Sequence, residues 1–120
     1  MAAKIVRGSI ILVRYPFTDL SGSKLRPAII VTPDDLLATL DDALCAFVTT
    51  IIPDKTLPTD LIVQANDPDF TATGLQQTSM IRAHKLTLLH RSLVQRHLGG
   101  MSRVLLEQLD RCLKKAVGVN

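Results

Sequence analysis

The chain has 120 residues, 47% of them apolar, with a net charge of +3 and a mean hydropathy of +0.25. Such a composition argues against disorder and predicts one domain over 1–120 with a real hydrophobic core. No apolar run reaches the ~18 residues of a membrane span, MAAKIVRGSI lacks a signal-peptide h-region, and Cys45 and Cys112 form no C-x-x-C pair, so the expected setting is a reducing cytoplasm with both thiols buried rather than on zinc.

Gly8 and Pro16 bound a β-rich run, Ser9 to Pro16 (SIILVRYP), which predicts the first strand. Phe17 to Leu25 clusters Ser, Gly and Asp and reads as a loop. Arg26 to Thr32 is the second strand, apolar on both faces and therefore expected to be central. Pro27 lacks an N–H and fixes its own φ, which suits a strand's first residue, and it biases Arg26 toward an extended conformation. The Arg26 guanidinium is thus expected at the mouth of the sheet, either as a solvated strand-edge charge or as a group with a task.

Thr32-Pro33-Asp34-Asp35 predicts a short helix over about 34–40, with proline at its first position and carboxylates in its first turn. Leu44 to Ile51 (LCAFVTTI) is a third strand ended by Pro53, Asp60 to Gln64 is a short fourth, and NDPDFTATG is turn material. Thr78 to Ala83 and Lys85 to Leu89 read as two further short strands, and Ser92 to Leu98 as a brief helix stopped by Gly99-Gly100. A last helix opens at the N-cap residue Ser102 and sets Leu105, Leu109, Cys112 and Ala116 in one stripe beside Leu106, Leu113 and Val117. Lys114 and Lys115 suit its C-terminal dipole, and Gly118 its cap. Many short strands followed by a terminal helix predict a mainly β fold with α elements: a small, partly open β-barrel with short helices and a C-terminal helix packed on it.

The charges are segregated. Residues 1–32 carry five basic side chains and one acidic, residues 33–70 carry eight aspartates against Lys55 alone, and residues 71–120 carry eight basic side chains against Glu107 and Asp110. A positive face built from both ends of the chain suits an anionic partner, although an ordinary solvated surface has the same composition. Four aromatics, Tyr15, Phe17, Phe47 and Phe70, are too few for base stacking to dominate. Asp34-Asp35 and Asp41-Asp42 lack a third ligand at metal-binding spacing and read as a solvated acidic face.

Three stretches carry a resemblance to a known family: RGSIILVRYPFTDLSGSKLRPAIIV, LCAFVTTI, and TGLQQTSMIRAHKLTLLHRSLVQRHLGGMS. Together, and in this order, the sequence resembles the MazF/PemK toxins of bacterial type II toxin–antitoxin modules. The resemblance implies an SH3-like barrel, a homodimer, a cognate antitoxin as partner, and sequence-selective cleavage of single-stranded RNA with no cofactor or metal. It places the catalytic roles on Arg26 and Thr49, and RNA contacts on Ser23 with Lys24 in the loop around it, and on Ser79 and Arg82; His84 is a further RNA-contact candidate on its own chemistry. Ser9 stands where members often carry aspartate, and the loop before Arg26 lacks a glutamate found in some.

Cleaving RNA without a metal requires the ribose 2′-OH to attack phosphorus, with charge stabilised on the phosphoryl oxygens and a proton delivered to the leaving oxygen. Arg26 suits charge stabilisation, since a planar guanidinium binds phosphate bidentately and does not lose its charge. Thr49 offers one hydrogen bond. Thr50 competes with it, but strand alternation sets Thr49 with Phe47 if Ala46 and Val48 face the core. Of the three histidines, His97 is expected at a helix C-terminus and His90 at a strand-to-helix junction, which leaves His84 as the one able to reach a groove. The alternatives from other classes are a non-catalytic toxin resembling the gyrase-binding CcdB group, and a small-barrel nucleic-acid binder without chemistry.

Overall fold

Ser9–Pro16 forms strand β1 with the predicted bounds. Gly8 turns the chain into it at φ 89°, a conformation that favours glycine, while its N–H donates to the Ile30 carbonyl at 2.8 Å. The computed structural model describes residues 4–16 and 23–120. Of the loop expected over 17–25, residues 17–22 lie outside the described residues, as does the side chain of Ser23, while Ser23, Lys24 and Leu25 belong to a strand and not to a loop. After β1 come β2 (Ser23–Ile30), helix α1 (Asp34–Leu37), β3 (Asp42–Thr49), β4 (Asp60–Val63), β5 (Ser79–His90), β6 (Val94–Gly100) and helix α2 (Arg103–Val117), with single 3-10 turns at Thr71–Thr73 and Arg91–Leu93. The strands make one antiparallel sheet in the order β4-β5-β3-β2-β1-β6. This is the mainly β, helix-terminated architecture expected from sequence, with the sheet left open at β4 and β6.

Three elements differ from the sequence reading. Pro27 is an interior residue of β2, opposite Leu12, because Ser23 to Arg26 continue the antiparallel ladder with β1 despite their polarity. The ladder with β3 begins one residue later, at Ala28, so the missing N–H leaves no bond unmade on that side. The two strands expected over 78–89 are one. Ala46 faces Leu86 and the next residue, Phe47, faces Arg82, so Ala83, His84 and Lys85 bulge out of the ladder. The helix expected over Ser92 to Leu98 is a 3-10 turn followed by β6, and His97 is a strand residue opposite Ile11. The free edge of β1 pairs with this segment and overrides its local helix preference.

Side chains alternate between two apolar clusters on opposite faces of the sheet. Ile10, Ile29, Ala46, Val48 and Ile81 face α2, which lies across β4 and β5 and buries Leu105, Leu109, Cys112 and Leu113 against them. Burying a leucine of this kind contributes roughly 1.5–3 kcal/mol. The expected stripe of α2 holds except at Val117, which is 60% exposed. Ser102 Oγ accepts from the Leu105 N–H at 3.2 Å, and Gly118 ends the helix at φ 73°, as the sequence predicts. On the other face Ile11, Val13, Ala28, Ile30, Ala43, Cys45 and Leu89 pack with Leu37 of α1. Among the described residues no helix is long and apolar enough to cross a membrane.

Candidate functional site

The second face becomes polar toward one end of its strands. Antiparallel partners share a face, so the pairs Val13–Arg26, Ala28–Phe47, Phe47–Arg82 and Arg82–Asp60 set Arg26, Phe47, Arg82 and Asp60 on one side of the sheet. The β2–β3 ladder stops at Ala28–Phe47, and Arg26 and Thr49 each lie two residues beyond that pair on the same face, a step of ~7 Å. The two residues expected to do chemistry are therefore brought together where β2 and β3 part. Arg26 is exposed and, among the described residues, its side chain has no hydrogen-bonding or ionic partner.

Thr49 Oγ1 accepts from the Ile51 N–H at 3.1 Å, which orients the hydroxyl and leaves its proton free to donate. Ala46 and Val48 belong to the cluster under α2, so alternation puts Thr49 with Phe47. Thr50 instead lines a groove with Leu12, Pro27 and Arg96. Tyr15 meets Phe47 edge-on, with ring centroids 5.4 Å apart, and Lys85 Nζ lies 5.6 Å from the Phe47 centroid. The result is a cationic surface with an aromatic floor.

Beside it Arg82 Nε donates to Asp60 Oδ1 at 3.1 Å. The Asp60 side chain is 0% exposed, and its Oδ2 accepts from the Leu57 N–H at 2.8 Å. His84 Nδ1 is 2.7 Å from Thr59 Oγ1 and 4.0 Å from Asp60 Oδ1. Lys24 is exposed on β2. Ser79 lies elsewhere: it is 2% exposed, at the start of β5, and its hydroxyl donates to the Gln77 carbonyl at 2.8 Å. Ser23 pairs with Pro16 at the start of β2. His90 caps the 3-10 turn, accepting from the Ser92 N–H at 3.1 Å.

Sequence reasoning missed Asp60 and the contact of Lys85 with Phe47. No local signal ties Asp60 to an arginine on a strand 22 residues later. The Lys85 contact depends on the bulge, which only the alternation break near His84 hints at.

The thiols are not nucleophiles. Burial pushes Cys45 up to about 12, and burial also raises Cys112, with the Asp60 charge adding to the rise while Lys115 and Arg111 oppose it. Tyr15 is raised chiefly by burial and secondarily by Cys45. Among the described residues no three histidine, cysteine or carboxylate groups converge as a metal site would require.

Residues 6–117 match the sequence profile of PemK-like, MazF-like toxins of type II toxin–antitoxin systems. The chain belongs to the PemK/MazF toxin family. Searches of curated protein sequences find no match. Among solved structures, an endoribonuclease in complex with its cognate antitoxin, from a mycobacterial species, superposes with a TM-score of 0.78 at 18% identity, covering 98% of each chain. Mycobacterium tuberculosis toxin MazF-mt6 gives 0.74 at 20% identity over 93% of this chain and 98% of its own. A MazE–MazF structure from Deinococcus radiodurans gives 0.70 at 17% identity over 98% of both. These likenesses establish the PemK/MazF fold over the whole length compared. The cationic–aromatic face belongs to this chain's own residues.

Proposed function

We propose that this PemK/MazF toxin is an endoribonuclease that cuts single-stranded RNA at selected sequences without a metal. The observation that carries the reading is Arg26: exposed, with no side-chain partner among the described residues, and beside Thr49 at the point where β2 and β3 separate. Its guanidinium binds the scissile phosphate and stabilises the charge that grows on the phosphoryl oxygens as the 2′-oxygen attacks. Thr49 Oγ1 donates one further hydrogen bond to the same group. Arg82 and Lys24 contact the flanking backbone with His84 beside them, Ser23 stands at the start of β2, and the Phe47 ring offers a stacking surface for one base.

The same face admits the acidic segment of a cognate antitoxin, which neutralises the toxin by covering it, and the cytoplasm is where such a pair would meet RNA. A homodimer is the family's assembly and is the state expected of this chain. Analytical sedimentation at micromolar concentration should give a species of twice the 13.1 kDa chain mass. A sole monomer peak would remove the dimer from the account.

The deciding experiment is incubation of the pure protein with single-stranded RNA in EDTA. The expected result is cutting at recurrent sequences, leaving 2′,3′-cyclic phosphate and 5′-hydroxyl ends. Binding without cuts would instead favour a nucleic-acid-binding module, and neither binding nor cuts would favour a protein-directed poison such as a gyrase binder.

A further inference from the structure

The nuclease reading leaves one requirement unassigned. When the P–O5′ bond breaks, the departing alkoxide needs a proton, and neither Arg26 nor Thr49 supplies one readily. Arginine and lysine side chains as a class hold their protons too tightly to transfer near neutral pH. Tyr15 is raised by burial, and Cys45 is enclosed in the core. Histidine is the side-chain type suited to the task. His90 is occupied in capping the Arg91–Leu93 turn, and His97 lies on the edge strand β6.

We propose that His84 is the general acid of this reaction, an assignment that rests on the nuclease reading above. His84 sits in the Ala83–Lys85 bulge, two residues after Arg82, where the strand leaves its ladder with β3. The bulge is tied down: the Ala83 N–H donates to the Thr59 carbonyl at 2.9 Å, and Thr59 Oγ1 holds His84 Nδ1 at 2.7 Å. In the protonated ring Nδ1–H donates to Thr59 Oγ1, within 4.0 Å of the Asp60 carboxylate, and Nε2–H at the opposite ring edge is the proton to be transferred. Asp60 thus serves two cations, anchoring Arg82 and facing the imidazolium. One strand, β3, separates β5 from β2, and Arg82 is level with Ala28, so His84 and Arg26 start from backbones two strands and about two residues apart, ~12 Å, a gap their two side chains span from opposite sides of one phosphate.

The step balances without a further reagent. The 2′-oxygen forms its bond to phosphorus and its proton passes to water. The P–O5′ bond breaks, and its electron pair takes the proton from Nε2. The products are a 2′,3′-cyclic phosphate, a 5′-hydroxyl and a neutral imidazole that solvent reprotonates. Thr59 and Asp60 are positioning residues in this scheme.

The test compares ordinary RNA with the same sequence carrying sulfur in place of the O5′ at the cleaved bond. A thiolate leaves without protonation, so this substrate does not need the acid. His84→Ala and His84→Gln are expected to cut ordinary RNA about 10²–10³-fold more slowly than the unaltered protein. On the sulfur-bridged RNA they should fall within tenfold of it, with melting temperatures unchanged. Equal losses on both substrates would make His84 a binding residue and overturn the proposal, as would full activity of either variant on ordinary RNA. Failure of the unaltered protein to cut either RNA would instead bring down the nuclease reading itself, and this assignment with it.

Discussion

Arg26→Ala is expected to lower RNA cleavage by about 10³-fold or more while leaving the melting temperature nearly unchanged. The catalytic loss follows from removing the charge aimed at the phosphoryl oxygens, where a single preorganised donor is worth about 10²–10³ and a guanidinium supplies two in a fixed fork. Stability is spared because the side chain is exposed and has no partner among the described residues, and substitutions at such sites usually stay within about 0.5 kcal/mol. Arg26→Lys should recover part of the activity, since an ammonium keeps the charge and loses the fork. Thr49→Ala should be milder, roughly ten- to a hundredfold, because one hydrogen bond to a charged group is worth about 1.5–3 kcal/mol. Cleavage rates beside thermal melts of the same preparations decide the matter. A folded Arg26→Ala protein with full activity would return Arg26 to the status of a solvated strand-edge charge.

The second large effect is structural. Gly74→Ala should destabilise the fold by about 3 kcal/mol or more, a drop in melting temperature of roughly 10 °C or more for a domain of this size. Two costs coincide. Gly74 sits at φ 73°, where a side chain is strained, and a Cβ there would run into the backbone carbonyl of Leu98 on β6. Gly99 repeats the contact from the other side, its absent Cβ facing the backbone of Ala72 and Thr73. Gly118 separates the two costs. It has the same φ, 73°, with nothing within 4 Å, so Gly118→Ala should lose only about 1 kcal/mol. Equal melting temperatures for the two variants would show that β6 simply moves aside.

Gly99 also shows where reading the sequence reaches its limit. After Ser92 to Leu98, a glycine pair looks like a helix stop, and local chemistry offers no reason to prefer another explanation. Its real role is to let the Thr71–Thr73 turn approach β6, a contact across some 25 residues of chain that no local pattern encodes. β6 was misread for the same reason, because the strand exists only once β1 offers its free edge. By contrast β1 was legible in full, and α2 in all but the exposed Val117. Their signals are local: punctuation by Gly8 and Pro16 in one case, and a cap, a 3.6-residue period and a terminal glycine in the other. The site divides similarly. The shared face of Arg26 and Thr49 follows from strand alternation, which is a local signal. The Asp60–Arg82 pair was not, since it depends on which strands become neighbours.

The three-residue bulge in β5 has a bearing on how such a toxin can change. On one side of it, Ser79 to Arg82 keep their register with β3 and β4; on the other, Leu86 to His90 keep theirs with β3. Residues 84 and 85 therefore answer to no ladder partner on β3, and their identities can drift with little effect on the rest of the sheet. A fold organised this way lets residues 84 and 85 be exchanged one side chain at a time without unzipping the strands on either side of them.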